Sequence, residues 1–310
     1  MAKFINDISQ RDTPVIKTGF ADLDQTLDGG LYEGLYFLGA VSSLGKTTYL
    51  LQMADQIAVK GNDVIFFSLE MARNELIAKS LSRLTLMNAV TKGIKTNAAK
   101  TTRGITDYAR YEHYNQTEQN LIQEAMDTYL TYAKHVFIHE GLGEMSVNSM
   151  RKIVEEHISI TGTRPVVFID YLQIIAPHDE RADYRLIIDH AVKELKHLSR
   201  DYKIPVIAVS SFNRANYRSE VSMESFKESG GIEYSSDILF ALQFKRDEFN
   251  GEGKPKPFDI EEAKKKDPRE IELKILKNRN GQTGATIDML FYPKFNYYQE
   301  RLYPMLKKGV

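Results

Sequence analysis

Five short, β-rich apolar runs dominate the first two thirds of the chain: Leu35 to Ala40, Val64 to Ser68, His135 to His139, Pro165 to Asp170 and Pro205 to Ser210. Stretches with helical patterning separate them. Strands joined through helices run parallel, because a parallel pair needs a long crossover and a hairpin cannot supply it. Helices then cover both faces of the sheet, so its strands read as unbroken apolar runs, as Val166-Val167-Phe168-Ile169 does. Thr47 to Val59 carries Leu50, Ala54, Ile57 and Ala58 at helical spacing, and Tyr184 to Tyr202 carries Ile187, Ala191, Leu195 and Leu198. The expected fold class is α/β, a mostly parallel central sheet flanked by helices.

Beyond residue 235 the pattern changes to strands without intervening helices: Asp237 to Gln243, Glu270 to Leu276 and Ala285 to Phe291. The last two flank Asn280-Gly281-Gln282-Thr283-Gly284, which predicts an antiparallel hairpin extending the sheet at its C-terminal end. Two polar segments read as insertions. One, residues 88–117, carries Lys92, Lys95, Lys100, Arg103 and Arg110, with Tyr108, Tyr111 and Tyr114 at a spacing that predicts a packed helical face, the alternative being an aromatic and cationic surface for DNA or a partner; the other, residues 245–269, is a charged loop. No linker divides the chain. The expected organisation is a short extension over 1–17, in which Phe4, Ile5 and Ile8 form an apolar stripe, one domain over 18–300, and a tail over 301–310.

With 42% hydrophobic residues among 310, the chain can bury a large core. Its 41 basic and 42 acidic residues leave a formal charge of -1, so any nucleic-acid contact must be local. The absence of cysteine excludes disulfides, thiolate zinc sites and cysteine nucleophiles. No apolar run approaches the roughly 18 to 20 residues of a membrane helix, and Met1 to Asp7 lacks a signal-peptide core, so a cytoplasmic protein without membrane contact is expected.

Ala40-Val41-Ser42-Ser43-Leu44-Gly45-Lys46-Thr47 lies between the first strand and the helix after it, the context of a phosphate-binding P-loop. Ala40 stands where the first glycine is usual, with Gly39 one residue earlier. Backbone N–H groups of Ser42, Ser43, Leu44, Gly45, Lys46, Thr47 and Thr48, at the positive end of a helix, suit the phosphates of ATP. Lys46 is expected to reach the β and γ phosphates and the Thr47 hydroxyl to take a Mg2+ position. Asp170 ends a buried strand at its carboxyl edge and is the expected second Mg2+ ligand. Glu70 follows Val64 to Leu69 at the same edge and is the candidate general base.

These blocks, in this order, resemble the C-terminal RecA-like motor domain of DnaB-type replicative helicases over about Thr18 to Tyr298. Thr18-Gly19-Phe20-Ala21-Asp22-Leu23-Asp24 resembles the entry to that core; Phe67-Ser68-Leu69-Glu70-Met71 and Ile169-Asp170-Tyr171-Leu172-Gln173 resemble its catalytic-glutamate and Walker B segments. Lys227-Glu228-Ser229-Gly230-Gly231-Ile232-Glu233 and Lys277-Asn278-Arg279-Asn280-Gly281 resemble its later blocks. The resemblance implies an ATP-hydrolysing helicase of DNA replication, moving 5′ to 3′ on single-stranded DNA as a homo-oligomeric ring, a hexamer, with a helicase loader or primase as further partners. It implies that Lys277 and Arg279 complete a neighbouring subunit's site, Arg279 as a trans arginine finger, and that Lys227, Glu228 and Gly230 contact the single-strand backbone.

Two features depart from that family. Ser211 stands where a glutamine that senses the γ-phosphate is usual, with Asn213 and Arg214 nearby as substitutes. Residues 1–17 are also too few for the family's N-terminal domain, which makes ring assembly conditional. The alternative expectation is a RecA-like ATPase without unwinding activity, acting as a recombinase or as a nucleotide-dependent regulator or loader.

Overall fold

The computed structural model of the chain describes Met1 and residues 15–41, 43–141, 145–177, 183–213, 219–226, 229–246 and 258–301. Among the described residues nine strands form one sheet: β1 (Gly34–Ala40), β2 (Val64–Ser68), β3 (Val136–Glu140), β4 (Val166–Asp170), β5 (Pro205–Ser211), β6 (Ile238–Phe244), β7 (Arg269–Asn278), β8 (Thr286–Tyr292) and β9 (Tyr297–Glu300). Their order is β3-β2-β4-β5-β1-β6-β7-β8-β9. The α-helices are α1 (Ala21–Thr26), α2 (Lys46–Val59), α3 (Arg73–Thr91), α4 (Thr102–Thr106), α5 (Tyr108–Tyr111), α6 (Gln116–Tyr132), α7 (Val147–Thr161), α8 (Tyr184–Tyr202), α9 (Ser229–Ser235) and α10 (Ile260–Lys265).

Every pairing from β3 through β6 is parallel, and β6 to β9 pair antiparallel, as the change of pattern after residue 235 predicts. Burial follows from this. All residues of β1, β2, β4 and β6 are buried, whereas β7 and β8 alternate between buried and half-buried positions because only one of their faces meets the core. The hairpin partners are in register from Arg269 opposite Phe291 to Lys274 opposite Thr286.

Three details differ from the sequence expectation. The charged segment before β7 contains α10, started by Asp259 accepting the N–H groups of Glu261 and Glu262, so the C-terminal strands are not wholly without a helix between them. Residues 88–117 hold the end of α3 and two short helices, α4 and α5. Tyr108 is 77% exposed, while Tyr111 and Tyr114 meet edge to face, so the three tyrosines do not share one packed face. Finally β9, which the sequence pattern does not announce, closes the sheet beside β8.

The entry block folds as a clasp onto this core. Asp24 Oδ1 accepts both the N–H and the hydroxyl of Thr18, at 2.7 and 2.8 Å, and Phe20 stacks on Tyr49 of α2 at 4.7 Å. Gly19 has φ of +85°, and a Cβ there would lie 2.5 Å from the Gln56 amide nitrogen, so backbone freedom and close approach both require glycine.

Candidate functional site

β1 delivers the chain into the loop ahead of α2. Ser43 and Gly45 both take the left-handed conformation, φ of +69° and +72°, which turns successive peptide groups in a way a regular strand-to-helix junction does not. Two side chains from the far end of the sequence hold the back of the loop: Arg269 donates to the Ser43 carbonyl at 2.8 Å, and the Tyr298 hydroxyl donates to that of Leu44. Phe291 stacks on Tyr298 at 4.4 Å, and Tyr298 meets Tyr49 edge to face, giving an aromatic buttress under Gly45. With these carbonyls engaged behind the loop, the orphan N–H groups of Lys46, Thr47 and Thr48 at the start of α2 remain as a donor set for an anion. The Thr48 side chain itself is buried in the core, so only its backbone can contribute. Ser42 lies outside the described residues.

The carboxylates converge as their strand positions demand. Ser68 and Asp170 are register partners on β2 and β4, and the Leu69 N–H donates to the Asp170 carbonyl at 2.8 Å, which brings exposed Glu70 to the same edge. Burial pushes the Asp170 carboxyl up to about 6; the Thr47 hydrogen bond pulls it back, the Glu70 charge adds to the rise, and Lys46 and Lys79 oppose it. Asp170 Oδ2 is buried without a hydrogen-bond partner. A spare carboxylate oxygen beside a threonine hydroxyl is a donor set that suits a hard, oxygen-seeking divalent cation such as Mg2+.

Sequence reasoning misses four residues here. Arg269 and Tyr298 act on the loop from more than 200 residues away. Lys79 of α3 donates to Asn296 Oδ1 at 3.1 Å; burial lowers its pKa while the charge of Asp170 raises it, so it adds positive potential at this edge. The Gln173 amide reaches the end of β5, where Ser211 sits opposite Ala40. Only Gln173 carries a local signal, since it lies within the Walker B block three residues after Asp170.

Lys277 and Arg279 occupy the opposite edge. β1, β5 and β6 all run from that edge toward the phosphate loop, and the Arg279 N–H donates to the carbonyl of Asp237, the residue preceding β6. A strand's length, on the order of 15–20 Å, therefore separates the pair from Lys46. Within the chain, Lys277 Nζ donates to the carbonyls of Glu233 and Ser236, at 2.5 and 2.6 Å, at the C-terminal end of α9, and Arg279 lies 3.3 Å from Asp237. The structure thus brings Lys46, Thr47, Glu70 and Asp170 together and keeps Lys277 and Arg279 together but apart from them.

Gly230 is helical, in the first turn of α9, so it provides no left-handed turn; Gly231 is the glycine under steric demand, since a Cβ there would meet Asp189 Oδ1 at 2.2 Å. Lys227, Glu228, Arg214 and the stripe of Phe4, Ile5 and Ile8 lie outside the described residues. Among the described residues no helix is long and apolar enough to cross a membrane.

The replicative DNA helicase DnaB of Helicobacter pylori (strain J99) is 28% identical over 92% of this chain and 59% of its own length. The replicative DNA helicase DnaC of Bacillus subtilis is 27% identical over 93% of this chain and 57% of its own length. The chain thus spans less than two thirds of these relatives. Among solved structures, one ATPase domain superposes with a TM-score of 0.75 at 22% identity, covering 96% of this chain and 95% of that one. A DnaB-like replicative helicase, described together with its interactions with primase, has the same TM-score at 21% identity, covering 96% of this chain and 66% of that one. The model of the DnaB-like helicase C-terminal domain matches residues 15–300, so the chain belongs to that family.

Proposed function

We propose that this domain hydrolyses ATP at the interface between adjacent copies of itself in a ring, a hexamer, and uses the cycle to move 5′ to 3′ along single-stranded DNA during replication. The observation that carries the reading is the division of the site between two sheet edges. Lys46, Thr47, Glu70 and Asp170 meet at one, while Lys277 and Arg279 stand at the other. A side chain on the far edge cannot reach its own chain's phosphate loop, but it can enter that of a neighbour packed edge to edge.

In this reading the backbone of Ser42 to Thr48 cradles the phosphates and Lys46 neutralises the β and γ oxygens. Thr47 and Asp170 would hold Mg2+, which when bound neutralises charge on the phosphate oxygens. Glu70 takes the proton of the attacking water. Arg279, with Lys277, stabilises charge developing on the transferred phosphoryl group from the neighbouring copy. The segment of Lys227, Glu228 and Gly230, leading into α9, follows the DNA backbone without reading sequence. A loader or primase is the expected further partner.

The test is steady-state ATP hydrolysis with and without single-stranded DNA, for the wild type, Lys46→Ala and Arg279→Ala, with mass followed by light scattering. Stimulation by DNA that both substitutions abolish, in an oligomer, supports an intersubunit motor. Hydrolysis indifferent to DNA and to Arg279 would overturn it in favour of a nucleotide-dependent regulator.

A further inference from the structure

Asp237 occupies the junction between three elements. Its Oδ2 accepts the N–H of Leu35, at the start of β1, at 2.8 Å and pairs with Lys196 of α8 at 2.5 Å. Its Oδ1 pairs with Arg279 at 3.3 Å, and its carbonyl accepts the Arg279 N–H at 2.9 Å. Its own N–H donates to the Leu35 carbonyl at 2.8 Å. The Asp237 side chain is 13% exposed, whereas that of Arg279 is 50% exposed. Arg279 is therefore held at both ends, its main-chain N–H on the Asp237 carbonyl and its guanidinium between Asp237 Oδ1 and the Tyr234 carbonyl, with half of the side chain still open to solvent.

Charge gives this anchor a second consequence. Lys196, Lys277 and Arg279 all bear on this one edge, and the carboxylates facing Lys277 are Asp237 and Glu233. Without Asp237, three cations would face each other with little compensation, and like charges at such separations repel by an amount that burial enlarges. An unrestrained arginine also retains rotamer freedom that must be given up on entering a site. Lys277 is tied into the same arrangement, since it donates to the carbonyls of Glu233, in the last turn of α9, and of Ser236, between that helix and Asp237.

We propose that Asp237 is a positioning residue for catalysis in trans: it holds Arg279, and through the shared charge cluster Lys277, in the posture that enters the phosphate site of a neighbouring copy. The proposal rests on the intersubunit reading above. Asp237 touches neither substrate nor metal; it sets the aim and the charge of the pair that does. Burial lowers the pKa of Lys277, followed by Arg279, with Lys196 also lowering it, while Asp237 and Glu233 raise it. Neutralising Asp237 lowers it further, so Lys277 loses its proton at a lower pH; removing Lys196 acts in the opposite direction.

The experiment combines mixing with pH profiles, using DNA-stimulated ATP hydrolysis by the full chain. Asp237→Asn, which keeps an acceptor for the Leu35 N–H, should lower kcat on the order of tenfold and leave KM for ATP within about twofold. Mixed with Lys46→Ala, whose own site is inert but whose Lys277 and Arg279 are intact, it should regain activity above the sum of the two proteins alone. Arg279→Ala mixed with Lys46→Ala is the control. The alkaline limb of the pH profile should move to lower pH in Asp237→Asn and to higher pH in Lys196→Met, and the second variant tests the charge argument even if the first folds poorly. Rescue of Arg279→Ala without rescue of Asp237→Asn would overturn the proposal alone, placing the Asp237 effect on its own β1. Failure to rescue Arg279→Ala would overturn the intersubunit reading and the proposal with it. Alkaline limbs that overlay the wild type in both variants would also overturn the proposal.

Discussion

Gln173 Oε1 accepts the backbone N–H of Ser211 at 3.3 Å, while its Nε2 donates to the neighbouring Ser210 hydroxyl at 2.8 Å. The amide therefore joins the turn after β4, three residues beyond Asp170, to the last residues of β5. Ser211 faces Ala40, the residue before the loop that leads into α2, so Gln173 ties the Asp170 turn to the end of the strand beside that loop. Gln173 supplies both a donor and an acceptor there. Gln173→Leu should reduce the stimulation of hydrolysis by single-stranded DNA several-fold, on the order of 1 kcal/mol for a lost pair of neutral hydrogen bonds, with hydrolysis in the absence of DNA little changed. Equal loss with and without DNA would show that the amide serves the chemistry, not the coupling.

Gly45 offers a sharper steric test. Its φ of +72° already disfavours any side chain, and a Cβ would sit 2.7 Å from the Phe291 ring. Phe291 cannot yield easily because it is stacked on Tyr298, whose hydroxyl holds the Leu44 carbonyl. Gly45→Ala should cost about 1–3 kcal/mol of stability and weaken ATP binding more than Gly61→Ala, whose Cβ would meet nothing within 4 Å although its φ is also positive. The comparison by thermal melting and nucleotide titration separates backbone strain, common to both, from displacement of the aromatic buttress.

The parts of this molecule that sequence reveals are those whose burial leaves a local pattern. Val166-Val167-Phe168-Ile169 can only be a buried strand or helix segment, and its length and the Asp170 that ends it decide for the strand. α8 is legible in most of its face, since Ala191, Leu195 and Leu198 lie buried as their spacing predicts, but its first buried position is Ile188 and not the half-buried Ile187 that the pattern names. Strand β9 is different. Tyr297-Tyr298-Gln299-Glu300 has no alternation of apolar and polar residues, and what ties it down lies far off in sequence: Gln52 pairs with the backbone of Tyr298 at 2.8 Å in both directions, and Glu300 meets α1. Asp237 reads from sequence only as the first residue of a strand, for the same reason. Its importance lies in Leu35, Lys196 and Arg279 converging on it, which no local window contains.

Buried charge makes a stability prediction in the helical layer beside the sheet. Arg83 of α3 and Asp55 of α2 form an ion pair with side chains only 3% and 5% exposed, and Asp55 Oδ1 and Arg83 Nη1 have no hydrogen-bond partner. Attraction within the pair has to offset the desolvation of both ions, and two unsatisfied atoms weaken the case for a net gain. Arg83→Met alone should destabilise by about 3–5 kcal/mol by leaving a carboxylate buried and alone, whereas Asp55→Leu combined with Arg83→Met should be near neutral or stabilising. Chemical denaturation of the two single variants and the double variant checks it; a double variant clearly less stable than the wild type would show the pair to be a net source of stability.

Glu300 gives the domain a pH dependence whose sign can be worked out. Its carboxylate accepts the N–H groups of Ala21, Asp22 and Leu23 at 2.7, 3.0 and 3.3 Å, tying β9 to the start of α1. Burial nevertheless raises its pKa to about 7; the Leu23 hydrogen bond opposes this, the charge of Asp22 adds to it, and the bonds from Ala21 and Asp22 oppose it. Because an unfolded glutamate titrates near 4.3, the folded state holds the extra proton across the interval between the two values. A state that binds more protons gains stability as pH falls, so this group favours the fold at low pH and that contribution is lost as pH rises through about 7. Asp24 and Asp170, also raised by burial, act with the same sign. Thermal stability should therefore decline between about pH 5 and pH 8, and Glu300→Gln, which mimics the protonated form, should make the decline shallower by on the order of 2–4 °C in Tm across that range. Melting curves at matched ionic strength test this directly: a decline just as steep in the variant would show that the three N–H bonds from α1 keep Glu300 ionised throughout and that the other buried carboxylates carry the whole effect.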